Sequence, residues 1–130
     1  MEMVLASLLI VTLMPILCSW IGGYFRGTAP GGFDNKHPRL QAAKLEGPGH
    51  RAYAAQQNCW EALGMFSAAL LALHISGVAI ASVASLCVIF VILRAVYIAC
   101  YLANQDIVRS LSFLGGFGIC MYFFYLALTF

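Results

Sequence analysis

Charge is scarce in this chain: Asp, Glu, Lys and Arg together make up 9% of its 130 residues, while 62% are hydrophobic. Soluble domains carry roughly a quarter of their residues as charges, so composition excludes an ordinary water-soluble globule. Cysteine pairs at redox or metal spacing are also missing. Cys18, Cys59, Cys87, Cys100 and Cys120 are scattered one or two to each apolar stretch without a CxxC, the pattern of packing residues rather than of a disulfide framework. His37, His50 and His74 lie too far apart in sequence to argue a metal site. There is no glycine-rich phosphate loop, no Ser-His-Asp order and no nucleic-acid signature, and no nucleic-acid partner is expected. The first apolar stretch contains no carboxylate, which argues against a four-span drug–proton exporter.

What is present is four long apolar segments, at about residues 3–25, 52–76, 80–102 and 111–130. Each approaches the roughly 20 residues that a helix needs to cross a ~30 Å hydrocarbon core. Lipid offers backbone amides no water, and barrel strands would be about half as long, so the segments should be helices. The expected fold is all-α, a single domain forming an integral-membrane bundle of four transmembrane helices. The first segment reads as a retained span rather than a signal peptide, because it is too long and begins with Glu2 instead of a basic region. Pro15 sits in its middle, where a helix kinks unless its neighbours compensate.

The few charges are unevenly placed. Arg26, Lys36, Arg39, Lys44 and Arg51 fall between segments one and two, and Arg109 between three and four. The positive-inside rule then puts the loop 26–51 in the cytoplasm and both termini outside, with Trp20, Tyr24 and Phe25 in an aromatic belt. Within the loop, residues 28–32 and 47–49 read as turns and residues 40–45 as a short surface helix. Its basic charge suits either a negative ligand or anionic lipid head groups.

Two segments carry polar side chains where lipid should tolerate few. In RAYAAQQNCWE, Arg51, Asn58 and Glu61 fall within about 80° of one another on a helix. In the third segment, Arg94, Tyr97 and Tyr101 are spaced i, i+3, i+7 and share a face. The two segments are joined by a short uncharged link and must run antiparallel. Glu61 lies ten residues from Arg51 and Arg94 ten from Asn104, about 15 Å in from the same end for each. An isolated mid-span charge costs at least ~2.5–3.5 kcal/mol, so two at matched depth are expected to pair directly, with Asn58 and Tyr97 completing the network. Two readings of that pair stand. It fastens two helices, or it also borders a polar cavity lined by Arg51, Asn58, Tyr97, Tyr101 and Arg109.

The motif RAxxAxxNxxE (Arg51, Ala52, Ala55, Asn58, Glu61), followed by RxxYxxxY (Arg94, Tyr97, Tyr101) and then Arg109-Ser110, resembles the MAPEG family. These are the membrane-associated proteins in eicosanoid and glutathione metabolism. The likeness extends over nearly the whole chain, and AYAAQQNCWE is similar to the corresponding segment of one branch. The resemblance implies a homotrimer of four-helix subunits, with glutathione bound between neighbours near the cytoplasmic face. By the same match, Arg26, Arg51, Asn58, Glu61, Arg94, Tyr97, Tyr101 and Ser110 are candidate glutathione-binding residues, and Arg109 is the candidate catalytic residue that favours the thiolate. The implied activity is a glutathione transferase or peroxidase acting on lipophilic electrophiles. The other outcome is a non-catalytic membrane scaffold that keeps the bundle. The chain departs from the pattern at Ala54 and Gln57, where relatives carry arginine, and at Phe113, where a tyrosine is expected. Fewer cations would therefore face the two carboxylates of glutathione.

Overall fold

Hydrocarbon forces each segment to satisfy its own amides, and in the computed structural model, which describes residues 1–130, every regular element is a helix. α1 spans Glu2–Gly27, α2 Pro38–Ala43, α3 Gly47–Ser76, α4 Ala84–Leu102 and α5 Asp106–Thr129, with a 3₁₀ turn at Ile80–Val83 leading into α4. Four of these are long and apolar enough to cross a membrane: α1, α3, α5, and α4 together with its 3₁₀ lead-in. α3 and α4 form the middle of the bundle. α1 packs on both and α5 packs on both, but α1 and α5 do not touch.

Packing follows a regular seam. Ala52, Ala55, Cys59, Ala62, Phe66, Ala69 and Leu73 on α3 are all at most 2% exposed, and their spacing alternates three and four residues. That alternation is the knobs-into-holes period, and its alanines allow the close backbone approach that membrane helices need in place of a hydrophobic drive. Phe66 stacks on Phe90 of α4 with ring centroids 4.2 Å apart, and Phe123 of α5 closes the cluster at 6.4 Å from Phe66. On the loop side of this aromatic core, Met14, Cys18, Ala55 and Cys59 form a second, smaller cluster.

Two expectations are corrected. Residues 47–49 are not a free turn, because α3 already begins at Gly47. Only Gly47 takes the left-handed backbone (φ +58°) that a turn demands. Pro48 then starts the helix, where its missing N–H costs nothing. Gly49 is buried because a Cβ there would stand 2.9 Å from Phe25 Cβ, so its small size lets α1 approach α3. α5 likewise begins at Asp106 instead of residue 111, so Arg109 belongs to its first turn. α1 remains one helix through the buried Pro15.

Candidate functional site

Arg94 lies on the inward stripe of α4 and is 2% exposed. Its Nη2 donates to Asn58 Oδ1 at 2.8 Å and approaches Cys59 Sγ at 3.7 Å, and its guanidinium stands 4.2 Å above the Tyr97 ring. The expected direct ion pair with Glu61 does not form. Asn58 stands between them, donating from Nδ2 to Glu61 Oε2 at 3.1 Å. The physical reason is helix rotation. In projection Asn58 lies roughly 60° from the α3 seam and Glu61 roughly 120°, so equal depth does not bring Glu61 inward. Glu61 is exposed on the outside of the subunit. The buried cation is therefore balanced by an amide oxygen, a sulfur and a π face, with no carboxylate within 4 Å; the one ion pair in the chain is Asp34–His37.

The remaining residues of α4 and α5 continue this row. Tyr97 and Tyr101 meet edge to face at 5.6 Å, and the Arg109 guanidinium lies 4.5 Å above the Tyr101 ring. Arg94, Tyr97, Tyr101 and Arg109 thus alternate as cation, ring, ring and cation from mid-bundle to the loop end. Arg109 is half-buried and makes no side-chain hydrogen bond or ion pair, so its donors are uncommitted. Phe113, one turn on, packs its ring 6.4 Å from Tyr97. Arg51 donates from Nε to the Leu102 carbonyl at 3.1 Å, at the end of α4. Ser110 is exposed and makes no side-chain hydrogen bond. None of the sizeable cavities is lined by Arg51, Asn58, Tyr97, Tyr101 or Arg109, so the expected cavity is instead an open flank of the subunit.

Arg26 is not brought to this flank. From the last turn of α1 it donates Nε to Gln41 Oε1 at 2.9 Å and Nη2 to the Asp34 carbonyl at 2.7 Å, and it covers the Phe33 ring at 4.1 Å. Gln41 also donates to the Gly32 carbonyl at 2.7 Å and accepts from the Asp34 amide at 3.0 Å, so the two residues together fasten the loop. Beside them opens the largest cavity, about 610 Å³, bordered by Ser19, Arg26, Arg39, Tyr53, Gln56 and Gln57 among others. Gln56, Gln57 and Arg39 are not among the site residues that the sequence marks. The available signal was adjacent glutamines in the loop-side turns of an otherwise apolar helix. Cys59, by its apolar surroundings a packing residue, also touches the buried guanidinium.

Comparison with known proteins bears on this arrangement. A family model described as MAPEG family matches residues 3–129. No curated protein and no solved structure matches the chain.

Proposed function

The chain belongs to the MAPEG family and is an integral membrane protein, and from that premise we propose that it is a glutathione-dependent transferase or peroxidase for lipophilic electrophiles. The observation that carries the reading is the uncommitted guanidinium of Arg109, held over Tyr101 at the loop end of the row. Glutathione supplies a sulfur nucleophile, and a free thiol near pKa ~8.5 is mostly protonated at neutral pH. A permanently charged guanidinium with free donors favours the thiolate, which makes Arg109 the candidate catalytic residue.

The donor set suits a tripeptide with two carboxylates, an ammonium and a thiol. Glu61 is exposed and its Oε1 is free to accept from the ammonium, while Asn58 orients its other oxygen. The Nη atoms of Arg51 remain available for a carboxylate, Tyr101 offers a hydroxyl, and Ser110 lies beside Arg109. The second carboxylate has no cation left on this flank, since Arg94 is buried and Ala54 contributes nothing. Arg26 and Arg39, on the opposite side of the subunit with Gln56, are suited to meet it from a neighbouring copy. A homotrimer would join the two flanks, with loop 26–51 in the cytoplasm. Lipophilic electrophiles would reach the thiol from the bilayer.

Glutathione titration of the purified protein in detergent, followed by turnover of a generic aryl halide and a lipid hydroperoxide, tests the reading. Saturable binding is expected, and Arg109→Ala should retain the oligomer while losing turnover by about 100-fold, the scale of one lost electrostatic contact in a transition state. Full turnover in Arg109→Ala would remove Arg109 from the chemistry, whereas a protein that binds no glutathione and turns over neither substrate would instead leave a non-catalytic scaffold. That second reading draws on the internal partners already taken by Arg26, Arg51 and Arg94.

A further inference from the structure

The α4–α5 corner shows where Arg51 acts. A helix leaves its last four carbonyls without intrahelical partners. In α4 these belong to residues 99–102. Three are met by the corner's own amides: Ala103 N–H donates to the Ala99 carbonyl (2.9 Å), Asn104 N–H to that of Tyr101 (3.2 Å) and Gln105 N–H to that of Cys100 (2.8 Å). The fourth, Leu102, accepts from Arg51 Nε at 3.1 Å. That bond is the only hydrogen bond the corner receives from another helix. Residues 103–108 are otherwise exposed, and the chain reverses there through Asn104 in a left-handed conformation (φ +58°). Immediately beyond the reversal, Gln105 caps α5, and its carbonyl accepts from the Arg109 amide at 3.4 Å.

We infer that Arg51 is a positioning residue for Arg109: by capping the Leu102 carbonyl it fixes the α4–α5 corner and thereby the seat of the Arg109 guanidinium over Tyr101. The inference rests on the reading of Arg109 given above. It assigns to Arg51 Nε a positioning role beside the carboxylate contact proposed for the Nη atoms of the same residue. The distinction is chemically sharp, because the amide nitrogen of glutamine occupies the place of the arginine Nε on an equally long stem. Arg51→Gln keeps the donor and loses the charge, whereas Arg51→Met keeps the length and loses both.

The experiment compares the two variants in the purified oligomer. For Arg51→Met, kcat should fall by up to about 100-fold, the scale of a catalytic group displaced by about 1 Å. The pH midpoint of the rate should rise by about one unit, meaning tenfold less thiolate at a given pH. KM for glutathione should rise to the same extent in Arg51→Met and Arg51→Gln, because both lose the Nη contact and that loss is one of uniform binding. Arg51→Gln should restore the midpoint and most of kcat. Amide exchange at residues 103–109 should quicken in Arg51→Met and remain at wild-type rates in Arg51→Gln. If both variants raise KM alone, with unmoved pH midpoints and unmoved corner exchange, Arg51 is a charge ligand only and the inference fails. A wild-type protein that does not use glutathione would refute the proposed function, and exchange at the corner would still decide the anchor. If Arg51→Met fails to fold, normal corner exchange in Arg51→Gln supports the donor function and loosened exchange overturns it.

Discussion

Asn58 is the residue on which the buried polar row turns. It accepts from Arg94 and donates to Glu61, so it satisfies a guanidinium that has no carboxylate of its own. Removing one partner of a buried charge costs far more than the pair contributes on balance, because the remaining charge keeps its desolvation penalty. Asn58→Leu should therefore destabilise the bundle by about 3 kcal/mol, read as a lowered thermal midpoint in detergent. Glu61→Gln should cost under about 1 kcal/mol, since glutamine still offers an oxygen to Asn58 and Glu61 is exposed. The reverse ranking would indicate that Glu61, and not Asn58, balances Arg94. A second residue-scale prediction concerns Asp34. The backbone amides of His37 and Lys36 donate to its Oδ1 at 3.0 and 2.8 Å, which holds its carboxyl below the usual aspartate range. A depressed native pKa means that the stabilisation is whole above the unfolded value and is lost as pH falls through the native one. Limited proteolysis within residues 28–37 should accordingly stay slow at neutral and mildly acid pH and accelerate only below the ordinary carboxylate range. Asp34→Ala should show the fast cleavage at every pH.

At the scale of helices, glycine does opposite things at two places in α3. Gly49 lets α1 approach: an added Cβ would meet Phe25 Cβ at 2.9 Å and Leu45 Cδ1 at 3.1 Å. The Phe25 Cβ is tied to its backbone and cannot swing aside, so α1 must shift. Gly49→Ala should cost about 1–3 kcal/mol, as overpacking does, and its thermal midpoint should fall below wild type. The same close approach explains what could be read from the chain and what could not. Hydropathy alone marks four spans to within a few residues, because lipid leaves helices as the one open-ended solution. The i, i+3, i+7 face of Arg94, Tyr97 and Tyr101 was legible for the same reason. Helix starts were not: glycine and proline signal a turn, but only Gly47 uses the left-handed conformation, and Pro48 and Gly49 serve the helix. The direct Glu61–Arg94 pair failed on rotation. Depth follows from counting residues, whereas the inward direction of α3 follows from its alanine seam, which places Asn58 nearer the core than Glu61. Arg26 also shows the limit of sequence, since nothing in its neighbourhood announces that Gln41 and the Asp34 carbonyl would claim it.

The whole subunit presents a flank that lipid alone should not cover. Gln57, Glu61, Gly64 and Ala68 follow one another along α3 at spacings of four, three and four residues, and all are exposed. A carboxylate bared to hydrocarbon costs several kcal/mol, and an exposed stripe of small residues forfeits the packing that holds membrane helices together. Covering this stripe with α3 of neighbouring copies removes both costs, and the proposed homotrimer would supply such neighbours. Gly64 is the discriminating position, because a Cβ there meets nothing within 4 Å inside the subunit. A large side chain at residue 64 is therefore harmless to the lone bundle and obstructive only to whatever packs against it. Gly64→Leu should convert trimers to monomers in detergent, read by native mass spectrometry, while the helix content by circular dichroism stays at the wild-type level. Gly64→Ala should be nearly neutral for association, since small residues are tolerated at such contacts and alanine is favoured over glycine in a helix by about 1 kcal/mol. A Gly64→Leu protein that remains trimeric would place the α3 flank against lipid, and the two halves of the thiol site would then have no means of meeting.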